Sequence, residues 1–326
     1  MYFVVSGTMP TSDHVNRSLA YIFIIVGFET MRDIEIFLFS LFSIMYILTL
    51  GAHVLIITLV LMDNRLHKPM YLLLANFSLV EVLYTTVTIP KMLDALLTRN
   101  KEIPSAGCLA QFYFFFAFGA AENCFLVVMG YDRYAAICQP LHYTRLMTRR
   151  TTLGLALAPW IVGFITAACP TIWISSLSFC FPNYIDHFFC DYSPLLKLSC
   201  EDTSRGEFTF SVISWSLTLG CFSLIMVSYT FIIFTVLKIP SVEGQKKAFN
   251  TCASHLTVVL IFNGTIIFMY IRPNSHIRFT LDKVVSIFYC VVTPLMNPMI
   301  YCLRNKEVKG ALRKAFMSQM ITAQVG

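Results

Sequence analysis

Charge is scarce in this chain. Of its 326 residues only 13% are Asp, Glu, Lys or Arg, against about 25% in an ordinary soluble domain. That is too little to coat one large globule. It excludes a disordered chain, a nucleic-acid-binding domain and a typical cytosolic enzyme. No Cys-x-x-Cys pair occurs among the 11 cysteines, which argues against a zinc ribbon or a thioredoxin-type motif. No His-Glu-x-x-His or paired-His spacing marks a metal enzyme, and no Gly-rich loop marks a phosphate cradle. No internal repeat divides the chain into the halves expected of a transporter. The first 35 residues lack the basic start, apolar run and small-residue cleavage site of a signal peptide.

What is present is oil. Hydrophobic residues make up 57% of the chain, including 29 Phe, and the mean hydropathy is +0.69. A helix needs about 20 apolar residues to cross about 30 Å of hydrocarbon. Seven stretches qualify: Ile36–Met62, Met70–Leu93, Leu109–Ile137, Thr152–Leu177, Phe208–Leu237, Ala248–Ile271 and Val284–Tyr301. Backbone groups in lipid must bond within their own segment, so these are helices. The fold class is an all-α membrane protein, a seven-transmembrane helix bundle with a short amphipathic C-terminal helix at Lys306–Phe316. The division is a 1–35 tail, a 36–303 bundle and a 304–326 tail. The apolar run Leu19–Gly27 is too brief to span.

Net charge is +6, and on a membrane protein its two-sided distribution matters more than its sum. Arg65, Lys68, Arg133, Arg145, Arg149, Arg150, Lys238, Lys246, Lys247, Arg304, Lys306, Lys309, Arg313 and Lys314 share one side. That side reads as cytoplasmic. It predicts a multi-pass protein with its N-terminus outside and its C-terminus in the cytosol. The sequon at Asn16 then marks a glycosylation site on the outer tail. The sequon matches at Asn76 and Asn263 fall inside apolar spans. Cys108, Cys180, Cys190 and Cys200 would face an oxidising compartment. Four cysteines allow three pairings, and the residues alone do not choose.

Five motifs in order then point to one family. Met129-Gly130-Tyr131-Asp132-Arg133-Tyr134-Ala135-Ala136-Ile137-Cys138 closes span three. It resembles the MAYDRYVAIC signature of olfactory receptors, within the rhodopsin-like G-protein-coupled receptors. Pro69-Met70-Tyr71, Ser228-Tyr229, the segment Lys247-Ala248-Phe249-Asn250-Thr251-Cys252-Ala253-Ser254-His255-Leu256, and Pro294-Leu295-Met296-Asn297-Pro298-Met299-Ile300-Tyr301 each look like that family's motif on the matching span. The resemblance runs from about Asn16 to Phe316. It implies a plasma-membrane receptor, not an enzyme. Its partners would be the bilayer, a small volatile ligand and a heterotrimeric G protein of the olfactory/stimulatory class, which raises cAMP. It also implies a Cys108–Cys190 disulfide, with Cys180–Cys200 within the loop; Cys200 is the other candidate partner for Cys108. A weakly signalling or ectopic receptor with a non-odorant ligand is the alternative within the class, and a polytopic transporter is the distant one.

Charges at membrane depth are costly and therefore functional candidates. Glu81 and Glu122 lie mid-span in spans two and three, and in similar receptors the matching carboxylates face each other. Two close carboxylates need a proton or a cation between them. A candidate Na⁺ or shared-proton site is therefore His53, Glu81, Glu122 and Asn297, with no other cofactor expected. His53 is a departure, since the family usually has Gly-Asn where Ala52-His53 stands here. It would face Glu81 and donate to it, or become protonated beside it. The resemblance assigns Asp132, Arg133, Tyr134, Tyr229, His255, Asn297, Pro298 and Tyr301 to the switch that meets the G protein.

Counting back from Arg133 by helical turns places Phe115, Phe116, Gly119 and Ala120 on the inward face of span three. No carboxylate stands among them to pair an ammonium. Further candidate ligand contacts are Phe112, Phe210, Ile213, Ser214, Asn263, Ile266, Ile267, Tyr270, Ser286, Ile287 and Cys290. Asn263 is a second departure, standing where the family often has the Tyr of Phe-Tyr-Gly. The lining is mostly apolar with a few hydroxyls, which suits a small uncharged ligand held by area burial.

Overall fold

The computed structural model describes residues 22–28, 31–180, 183–271, 278–304 and 307–314. Asn16 and the side chains of Ile266, Ile267 and Tyr270 lie outside that description. Seven apolar helical runs follow the seven predicted spans: α1 (Arg32–Met62), α2 (Pro69–Thr98), α3 (Ser105–Cys138), α5 (Arg149–Ser175), α7 (Ser204–Leu237), α8 (Val242–Ile271) and a broken run of α9 (Arg278–Ile287) and α10 (Thr293–Arg304). The short helices α4 (Tyr143–Leu146) and α6 (Tyr192–Leu196) lie in the connections. Among the described residues six of these helical runs are long and apolar enough to cross a bilayer, and Cys252–Thr265 within α8 is a shorter apolar stretch.

The bundle is built around α3, which packs against α2, α5, α7 and α8, while α10 closes the ring by meeting both α8 and α1. Small residues allow the closest approach. A side chain at Gly163 of α5 would collide with the Ala117 carbonyl and crowd Ala121 on α3. This is the small-residue contact that lets membrane helices pack where lipid supplies no hydrophobic drive between them. The outward faces stay apolar, as at Ile47, Ile165 and Phe234, so the helices are greasy all round.

Span seven is interrupted by a π-helical turn, Phe288–Val292, between α9 and α10. Pro294, the second residue of α10, has no backbone N–H to continue the α ladder. Single π turns of this kind recur at functional sites. Beyond α10, a helical segment at 307–314 buries Val308 and Ala311 and exposes Lys309, Arg313 and Lys314. It has the amphipathic character expected of the C-terminal helix, and Lys68 pairs with Glu307 at 2.8 Å.

One element is absent from the sequence reading. Residues of the short apolar run form β1 (Ile22–Ile25), the central strand of a three-stranded sheet. It pairs antiparallel with β2 (Glu102–Pro104) and parallel with β3 (Tyr184–Ile185). The alternation is that of a half-buried strand: Phe23 and Ile25 are buried, Ile22 is exposed. The run too short to span is thus docked against the bundle. The sheet lies at the same end as the two disulfides, Cys108–Cys190 and Cys180–Cys200.

Candidate functional site

A cavity of about 550 Å³ opens at the disulfide end. Its α3 wall is Phe115, Phe116, Gly119, Ala120 and Asn123, and its α7 wall includes Phe210, Ser214, Leu217 and Thr218. Tyr84 of α2, Phe262 of α8, Ser286 of α9 and Tyr289 of the π turn complete the bundle side. The loop between α5 and α7 closes over the mouth with Tyr184, Asp186, His187, Asp191, Tyr192 and Lys197.

Aromatic rings fix the shape of this wall. Phe116 sits 5.1 Å from Phe210 and Tyr84 stacks on Phe115 at 5.0 Å, centroid to centroid. Tyr192 stacks on Phe210 at 3.6 Å, and its hydroxyl donates to the Gly206 carbonyl. Gly206 is required there, because a Cβ would run into the Trp173 ring. The Cys108–Cys190 bond and the hydrogen bond from the Cys190 N–H to Gln111 Oε1 anchor the loop to α3.

The mouth is polar. His187 Nε2 lies 3.2 Å from Ser286 Oγ, which lies 2.8 Å from the Tyr289 hydroxyl. Lys283 donates to Asp186 at 2.6 Å and to the Gly27 carbonyl at 2.9 Å, joining α9, the loop and the segment after β1. Burial, reinforced by the Lys283 charge and opposed by Asp186, pushes His187 down to about 3.

Several candidates stand elsewhere than the sequence placed them. Phe112 is fully buried behind the wall, stacked against Phe116. Cys290 is buried with its thiol 4.0 Å from the Tyr84 hydroxyl, and Ile287 packs into the Phe42–Phe189 cluster. Ile213 and Asn263 are not on the cavity wall. Asn263 Nδ2 donates to Val259 O one turn back, and its neighbour Phe262 faces the cavity instead. Ile213, Asn263, Ile287 and Cys290 each adjoin a lining residue in sequence, and Phe112 lies one turn before Phe115 and Phe116, errors to which counting along a helix is prone. His187, Tyr192 and the charged mouth escaped the sequence reading because a long loop carries no period from which facing can be read.

Below the cavity lies a buried polar centre. Asn297 donates to Glu81 Oε1, and Glu122 is buried in the same region. Glu81 Oε2, Glu122 Oε1 and Asn297 Oδ1 have no hydrogen-bond partner among the described residues. His53 does not join them: its Nε2 bonds the Pro294 carbonyl at 3.0 Å. The polar stretch of α10 therefore reaches His53 before the carboxylates do.

At the opposite end Arg133 pairs with Asp132 at 2.7 Å, and the Tyr143 hydroxyl donates to the other Asp132 oxygen at 2.8 Å. His255 Nε2 faces the Leu126 carbonyl, which can only accept. Nε2 therefore carries the proton, and Nδ1 accepts from the Tyr229 hydroxyl at 2.8 Å. Tyr301 is buried edge-on to Phe77, Pro298 sits inside α10, and Tyr134 meets Phe231 of α7.

A multi-span helical bundle with a cavity at one end and an Asp-Arg-Tyr cluster at the other defines a seven-helix membrane receptor. The family profile described as olfactory receptor matches residues 42–319. Human Olfactory receptor 11G2 is 48% identical over 292 residues, 90% of this chain and 85% of that protein. Human Olfactory receptor 10C1 is 46% identical over 299 residues, covering 92% and 96% respectively. Mouse Olfactory receptor 1E16 is 42% identical over 306 residues, covering 94% and 98%. This chain belongs to the olfactory receptor family of G-protein-coupled receptors and is a multi-pass membrane protein, not an enzyme.

Proposed function

We propose that the chain is an odorant receptor of the plasma membrane that takes small, mostly apolar volatile molecules into the cavity at the disulfide end. The observation that carries this reading is the aromatic-walled cavity of about 550 Å³, within the roughly 300–1,000 Å³ of ordinary ligand pockets. The disulfide end faces outward, because disulfides persist in oxidising compartments. The Arg133 end faces the cytosol with the basic excess. Ligand binding favours a bundle in which Arg133 leaves Asp132 and engages a G protein of the olfactory/stimulatory class, raising cAMP. A ligand can shift that equilibrium only by its differential affinity for the two states. A ligand of about 10 heavy atoms reaches roughly micromolar affinity only with good burial.

The polar centre fits a Na⁺ ion or a shared proton. Three buried oxygens without donors, on Glu81, Glu122 and Asn297, are the hard donors such a cation takes. Sodium titration should move the activation midpoint of the wild type and not of Glu122→Gln; equal indifference of both removes the cation. A second reading, a weakly signalling receptor with a non-odorant ligand, is favoured by the departures at His53, which bonds the Pro294 carbonyl, and at Asn263, which folds back on its own helix.

A cAMP reporter assay over an odorant panel tests the main reading. The wild type should respond to some members, and Arg133→Ala should respond to none at equal surface expression. Solute flux that is independent of a G protein would contradict it.

A further inference from the structure

We infer that the ligand carries a hydroxyl group, held between Asn123 of α3 and Ser214 of α7. This rests on the cavity reading above and narrows it to a chemical class. Asn123 and Ser214 both line the cavity and are only 4% and 5% exposed. Asn123 Oδ1 and Ser214 Oγ are buried without a hydrogen-bond partner among the described residues.

Several groups around them do find partners. Other hydroxyls of α7, on Thr209, Ser228 and Thr230, bond the carbonyl one turn back. Three polar groups on the cavity wall are engaged with one another or nearby: His187 with Ser286, Ser286 with Tyr289, and Glu207 with the Thr203 hydroxyl. A buried polar atom left unpaired bears its full desolvation penalty. Two of them on facing helices, among Phe115, Phe116, Phe210 and Phe262, are groups a ligand would complete.

The donor inventory sets the ligand's chemistry. An amide oxygen only accepts, whereas a serine hydroxyl both donates and accepts. A ligand hydroxyl donates its proton to Asn123 Oδ1 and accepts the proton of Ser214. An ether or ketone oxygen cannot donate and leaves Oδ1 unmet. A hydrocarbon leaves both unmet. The rings take the carbon skeleton, so the class is a small neutral alcohol or phenol.

The test is a concentration–response series in cells carrying the full chain, at matched surface expression. The probes are matched triads, such as 2-phenylethanol with its methyl ether and ethylbenzene, and cyclohexylmethanol with its methyl ether and methylcyclohexane. Alcohols should act at about tenfold lower concentration than their ethers and hydrocarbons. Asn123→Leu should abolish the preference over the ethers, and Ser214→Ala should weaken alcohols and ethers alike and narrow their lead over the hydrocarbons. Asn123→Leu should leave the thermal stability of the ligand-free receptor unchanged or raised, since it removes an unmet acceptor. Ethers or hydrocarbons matching the alcohols, a preference that survives both substitutions, or silence toward every alcohol would overturn the inference. So would a loss of ligand-free stability in Asn123→Leu that parallels its loss of response. If Phe116→Ala still shifts every active probe in those cases, the cavity reading survives without the hydroxyl. If Phe116→Ala shifts none, the cavity reading itself fails.

Discussion

At the scale of single residues, His187 makes the mouth of the cavity sensitive to acid. Its imidazole is held down to about 3 by burial and by the Lys283 charge, from an ordinary 6.5. The unfolded chain therefore binds this proton first as pH falls. The stabilisation is complete above about pH 6.5 and is lost progressively toward about pH 3. Thermal unfolding of the purified receptor should show a downward slope across that window, and His187→Gln should flatten it. An identical slope in the variant would remove His187 from the account. Gly206 gives a second residue-scale prediction. Gly206→Ala forces a methyl into Trp173 and should cost about 1–3 kcal/mol of stability, read as a lower unfolding temperature. Neither feature was legible in the chain. His187 looks like any loop histidine, and the Gly206 requirement exists only because Trp173 arrives from another helix.

At the scale of elements, α3 is the spine, and its contact with α5 depends on Gly163 lying against Ala117 and Ala121. Gly163→Leu should separate the two helices and lower surface expression more than Gly154→Leu, since Gly154 has open space around it. Equal effects would show that close approach is not what Gly163 supplies. The disulfides form a second pair of elements. Cys108–Cys190 spans 82 residues and Cys180–Cys200 spans 20. Cross-linking a longer loop restricts the unfolded chain more, so removing the first should cost more, within about 2–5 kcal/mol. The apolar spans were readable because a bilayer sets their length. β1 was not, because four residues of alternating burial acquire meaning only when Glu102–Pro104 and Tyr184–Ile185 lie beside them. The inward face of α3 was readable at Phe115, Phe116, Gly119 and Ala120, where Arg133 supplied a fixed phase. On span seven the reading missed by one residue at Ile287 and at Cys290, the latter inside the π turn, while Ser286 and Tyr289 line the cavity.

At the scale of the whole molecule, three levels follow one another through the bundle: the aromatic cavity, the Glu81–Glu122–Asn297 centre, and the Arg133–Asp132 pair. The levels are joined by α3, which contributes Phe116, Glu122 and Arg133, and by span seven, which contributes Ser286, Asn297 and Tyr301. Occupancy of the cavity should therefore be felt at the far end. The most direct measurement is odorant-dependent nucleotide exchange on a stimulatory-class G protein, catalysed by the purified chain in a lipid bilayer. The account predicts that odorant accelerates exchange by the wild type, that Phe116→Ala needs a higher odorant concentration for the same maximum, and that Arg133→Ala stays silent at every concentration. Exchange that ignores the odorant, or a Phe116→Ala defect that no concentration repairs in a well-folded receptor, would contradict it.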